Sequence, residues 1–151
     1  MAEFEYQNVE AWNTAIKLAA SVGRLKIGSN LKASADAQAN AFDAAGVASA
    51  LIAEGAMREG PAQAGLYRDA RIALARCRSW LHVLAAVTNE QDSVFGNELD
   101  LAEQASRQLN AMLRSLDRGP QGAPGGPRPP MRPGGPPQGP RGQGPRPGGP
   151  R

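Results

Sequence analysis

The chain has 151 residues, 41% apolar and 21% charged, with one cysteine and a formal net charge of +3. Residues 119–151 hold 12 of the 13 prolines, 11 of the 18 glycines and five arginines without an acid, whereas residues 1–118 hold all 14 acids against 12 Lys and Arg, so the tail is +5 and the body −2. A body of that length is one domain with room for a core that needs no staple. The single Cys77 excludes a disulfide framework, and with His82 as the only histidine no Cys/His cluster has metal-ligand spacing, so neither a metal nor a cofactor is expected.

No nucleophile-elbow motif accompanies His82, and an enzyme is not expected. No apolar run reaches the roughly 18 residues of a membrane span. Met1 leads into Glu3 and Glu5 rather than a basic signal-peptide start, so the expectation is a soluble cytoplasmic protein without a membrane partner.

The body reads as four helices. Pro61 is its only proline and β-branched residues never run together, so strands find no support. The first helix is expected to open at Asn8 as N-cap, with Val9, Trp12, Ile16, Ala19 and Leu25 on one side until the Gly23–Gly28 region loosens it. The second is expected from Ser34 or Asp36 to Glu54, with Phe42, Ala45, Ser49 and Ile52 on one face and Gly55 as C-cap.

Gly60-Pro61 punctuates the chain, and Pro61 suits the first turn of a third helix over 62–88. Leu66, Ala70, Leu74, Cys77, Leu81 and Leu84 form a near-heptad seam in it, which makes Cys77 a buried small hydrophobe. A fourth helix over 92–117 repeats the pattern with Ala102, Ala105, Leu109, Met112 and Leu116. Two such seams suit antiparallel packing, and the expected fold is all-α: an up-and-down antiparallel four-helix bundle over 1–118. The tail, 119–151, has almost nothing to bury. Its glycine period of three fails at Arg128 and Met131, which excludes collagen, leaving a disordered, partly polyproline-II cationic arm.

On a wheel of about 100° per residue, Arg68, Arg71, Arg78 and His82 of the third helix fall within a sector of roughly 80°, away from the seam. Arginine forks match phosphate geometry, and histidine can charge near neutral pH. The alternative is a solvated face whose arginines pair with acids of a neighbouring helix. Ile72 points outward beside this stripe and Trp80 flanks the seam; together they are candidates for a subunit interface.

The segment Leu74-Ala75-Arg76-Cys77-Arg78-Ser79-Trp80-Leu81-His82-Val83-Leu84-Ala85 resembles the third helix of the accessory variability determinant proteins of diversity-generating retroelements, whose pattern is Leu-Ala-x-x-Arg-x-Trp-Leu-x-x-Leu-Ala with a basic residue where His82 stands. Phe4-Glu5, Trp12-x-x-Ala15-x-x-Leu18, Ile52-Ala53-Glu54-Gly55 and Arg58 are similar to the related four-helix-bundle proteins encoded in intervening sequences of 23S rRNA genes. The resemblance spans about residues 4–117. It implies a homopentameric bundle that, in the retroelement branch, binds nucleic acid and the element's reverse transcriptase, with Arg78 and the position of His82 as contacts. Leu51 replaces the Asn usual in the intervening-sequence branch, and the −2 body departs from the basic bodies of the retroelement branch.

These readings converge on a non-enzymatic, oligomeric accessory or scaffold protein that binds RNA or DNA, with Arg68, Arg71, Arg78 and His82 on the body and Arg128, Arg132, Arg141, Arg146 and Arg151 on the tail as its cations. The tail has no aromatic residue for base stacking, so its contacts should be electrostatic and salt-dependent. The alternative is an interaction module whose Pro-x-x-Pro spacings, such as Pro127–Pro130 and Pro130–Pro133, dock a partner domain. A carboxylate-bridged metal bundle would need a Glu-x-x-His pair on each of two helices, more histidines than the chain has.

Overall fold

The computed structural model describes residues 4–118. The expected cationic arm over 119–151, with Arg128, Arg132, Arg141, Arg146 and Arg151, lies outside the described residues. Four helices, α1 (Glu10–Gly23), α2 (Lys32–Ala56), α3 (Gly60–Val87) and α4 (Gly96–Asp117), form an up-and-down bundle, and the described residues include no strand. Consecutive helices are neighbours, α4 closes against α1, and α2 and α4 lie diagonally opposite. The most extensive interface joins α2 and α3, and both helices bury small residues, Ala37, Ala41, Ala44, Ala45 and Ala48 in α2 and Ala70 and Ala73 in α3.

The seams of α3 and α4 hold. Ala70, Leu74, Cys77, Leu81 and Leu84 are buried with Ala102, Ala105 and Leu109, while Leu66, Met112 and Leu116 are half-buried. The first two helices differ from expectation. Asn8 closes a short 3-10 turn (Glu5–Asn8), in which the Phe4 amide donates to Gln7 Oε1 at 2.8 Å, and Val9 becomes the N-cap of α1. The buried line of α1 is Ala11, Ala15, Leu18 and Val22; Trp12 is half-buried and Ile16 lies outside. The expected face was set one residue off because its large side chains flank the core and alanines fill it.

α2 opens earlier than expected, at Lys32, because Ser34 is wholly buried and bonds Ser29 Oγ at 3.0 Å instead of capping a terminus. Gln38 Nε2 donates to the carbonyls of Val22 (3.0 Å) and Leu25 (2.8 Å) and so ties the end of α1 to α2. Phe42 stands 48% exposed rather than in the core, its ring lying over Gly23 of α1. The α3–α4 connection ends α3 in a Schellman motif: Asn89 takes φ 57°, its amide donates to Ala86, and that of Glu90 donates to Ala85 at 2.8 Å. Residues Asp92–Phe95 form a separate 3-10 turn rather than the first turn of α4, which lets Phe95 enter the core.

Gly55 is not a cap. It lies buried inside α2 beneath Tyr67, and a Cβ there would stand 2.6 Å from the Tyr67 ring. Gly60, with φ +64°, makes the actual turn into α3. Gly55→Ala should therefore lower stability by about 1–3 kcal/mol through overpacking, whereas Gly46→Ala, with open space around it, should raise it by roughly 1 kcal/mol through helix propensity. Urea unfolding of the two variants checks the contrast. Equal effects would contradict the Gly55–Tyr67 contact.

Candidate nucleic-acid interface

An open groove of about 540 Å³ lies between α3 and α4. Ala75 and Ser106, both small, line it and leave it unfilled, while Arg68, Arg71 and Arg78 from α3 and Arg107 from α4 surround it. Arg68, Arg71 and Arg107 are exposed and Arg78 half-buried along its stem. Asn110 and Glu103 complete the α4 wall. Ser106 Oγ is buried and has no hydrogen-bond partner.

The ion pairs among the described residues are elsewhere: Lys32–Asp36 at 2.7 Å, Arg58–Glu54 at 3.6 Å and His82–Asp92 at 3.1 Å. Among the described residues none of the four arginines lies within ion-pair distance of a carboxylate, Glu103 included, so no formed ion pair neutralises this exposed face there. Four guanidinium groups crowded at one groove repel one another, and an anion relieves that repulsion.

The structure corrects one member of the expected stripe. His82 Nδ1 faces Asp92 Oδ1 across the α3–α4 connection, and His82 does not line the groove. Arg107 was missed, because the wheel was drawn for α3 alone. Its signal was its place between the α4 seam residues Ala105 and Leu109, and its i,i+4 spacing from Glu103 reads deceptively as an intrahelical pair.

The two interface candidates separate. Ile72 is 58% exposed at the lip of the arginine groove, whereas Trp80 is half-buried against the core and takes no part in the groove. Cys77 lies wholly buried in the α3 seam, where burial pushes its thiol up to about 12, against a smaller lowering by Arg78, so it is no nucleophile at neutral pH. Among the described residues no group of three or more His, Cys, Asp or Glu is placed to hold a metal ion, and no helix is long and apolar enough to cross a membrane. Comparison with protein-family models, with curated proteins and with solved structures found no match to this chain.

Proposed function

We propose that the protein is a non-enzymatic accessory or scaffold protein that binds nucleic acid through the α3–α4 groove. The single observation that carries this reading is four arginines around one groove with no acid of the described residues in ion-pair reach. Phosphate neutralisation supplies most of non-specific nucleic-acid affinity, and what matters for it is where the cations lie rather than the net −2 of the body. The charges are sorted by face, so an acidic total and a basic groove coexist.

The tail adds five arginines by composition. In an oligomer its copies act together: a pentamer, the assembly implied by the resemblance to accessory variability determinant and intervening-sequence proteins, would present about 25 tail cations. Ile72, exposed beside the groove, is the residue that favours an interface between copies. In this reading the protein works in the cytoplasm, carries no cofactor, and holds RNA or DNA beside an enzyme such as a reverse transcriptase. The Pro-x-x-Pro spacings of the tail favour a second reading, a partner domain docked on the arm.

The test is binding of labelled single-stranded RNA and duplex DNA to the full chain and to a chain ending at residue 118, titrated with salt, with particle size read by light scattering. Arg78→Ala should weaken binding roughly tenfold at about 0.1 M salt, the electrostatic contribution of one phosphate contact. Absence of binding by the full chain at low salt would exclude the proposal and leave the docking arm as the reading to pursue.

A further inference from the structure

Beyond the arginine groove, α4 has a second cationic flank. On its other side an open groove of about 450 Å³ between α1 and α4 is lined by Lys17, Arg24 and Lys26 together with Ser21 and Glu98. Among the described residues no carboxylate lies within ion-pair distance of these three cations either. Glu98, the one acid lining that groove, is 6% exposed and accepts a hydrogen bond from Ser21 Oγ at 2.6 Å, so a single carboxylate stands against three cations there. α4 therefore stands between two basic rows. The diagonally opposite helix, α2, carries Asp36, Asp43 and Glu54, and its one lysine, Lys32, is bound to Asp36.

The rows are separated by one helix width, about 10 Å. They are also staggered along α4: one groove lies at the level of Glu98 and the other at Ser106 and Arg107, eight to nine residues further on, or about 13 Å at 1.5 Å per residue. Diagonally the two rows are therefore about 16 Å apart. Between them α4 presents Asp100 and Gln104, both exposed and lining neither groove.

This order, cations, then a carboxylate and an amide, then cations, discriminates between nucleic-acid forms. A single strand passing from one groove to the other would carry its phosphates over Asp100. Nor does this face offer it a stacking platform, because the exposed aromatic rings are Phe4, before α1, and Phe42, on α2. A duplex meets the same order favourably. Its two backbones lie on the two rows, and the groove between them turns base edges, including the cytosine amino donor, toward Asp100 and Gln104. The B-form major groove, about 12 Å wide, admits one helix, whereas the A-form major groove is too narrow for side-chain readout.

We infer that α4 and its two cationic flanks form a binding face for B-form duplex DNA, with Lys17, Arg24 and Lys26 on one backbone and Arg68, Arg71, Arg78 and Arg107 on the other. This rests on the nucleic-acid reading above and narrows it to one class.

The experiment titrates the full chain, by fluorescence anisotropy at several salt concentrations, against three labelled probes: a DNA duplex of about two helical turns, an RNA duplex of the same sequence and one DNA strand alone. Lys17→Gln/Arg24→Gln removes two contacts from one row and Arg71→Gln/Arg78→Gln two from the other. Each pair should weaken DNA-duplex binding roughly 50-fold at about 0.1 M salt and lower the slope of log K against log salt by about 1.8. The charge-keeping pair Lys17→Arg/Arg24→Lys should bind like the parent, as should Lys32→Gln on α2. The DNA duplex should be the tightest of the three probes.

If the Arg71/Arg78 pair matters and the Lys17/Arg24 pair does not, the two-row face is wrong while the arginine groove stands. Tighter binding of the RNA duplex or the single strand than of the DNA duplex overturns the assignment to B-form DNA. Failure of the parent to bind any probe overturns both this inference and the nucleic-acid reading beneath it.

Discussion

Arg68→Gln/Arg71→Gln/Arg78→Gln/Arg107→Gln should lower affinity for duplex nucleic acid by about 10³-fold or more at about 0.1 M salt, since four phosphate contacts are lost. The slope of log K against log salt should fall by about 3.6 for the same reason. Stability should barely move. Three of the four side chains are exposed and none forms an ion pair among the described residues, and surface substitutions of that kind usually stay within about 0.5 kcal/mol each. Relief of mutual repulsion at the groove would make the variant slightly more stable. A quadruple variant that keeps its affinity within tenfold and its salt slope unchanged would show that binding resides elsewhere in the chain.

Alkaline pH should destabilise the bundle through Cys77, and Cys77→Ala should remove that sensitivity. The thiol sits wholly buried among the seam residues of α3, and its pKa stands at about 12 in the folded chain because desolvation disfavours the thiolate. Unfolded, it titrates at its ordinary value near 9. Below that value both states hold the proton and stability is full. Between about 9 and about 12 only the unfolded state gives it up, so stability falls as pH rises, by on the order of 4 kcal/mol across the window. That is a large share of the stability of a small domain. Urea unfolding at about pH 8 and about pH 11 should show a loss larger in the parent than in Cys77→Ala by about 2–3 kcal/mol. Tyr67, whose phenol burial also pushes up, contributes equally to both chains and cancels. Equal losses would mean that the thiol is not enclosed as the α3 seam places it.

The four helices were legible because helical periodicity is local. Leu74, Cys77, Leu81 and Leu84 recur at the spacing of one helix face, and Gly60-Pro61 interrupts the pattern where α3 begins. Large side chains misled wherever the core is built of small ones. Trp12, Ile16 and Phe42 mark the edges of α1 and α2, while Ala11, Ala15, Ala41, Ala44 and Ala48 fill the interior. In those two helices the hydrophobic pattern shows the element but misplaces its buried face. Gly55 was misread for a related reason: glycine after a helical run resembles a cap, and the ring of Tyr67 that demands it comes from the next helix.

The candidate site divides along the same line. Arg68, Arg71 and Arg78 share one side of α3 by spacing alone, so the sequence by itself determined that a basic stripe exists, that α3 and α4 have core-facing seams, and that the positive charge of the chain resides in its last 33 residues. Tertiary structure decided what the stripe faces. It set Arg107 across a groove from the α3 arginines, turned His82 onto Asp92, and brought Lys17, Arg24 and Lys26 to the other flank of α4. These partners are distant in sequence, and their meeting depends on the rotation and stagger of whole helices. Side-chain packing across the core sets both, and no local repeat encodes them.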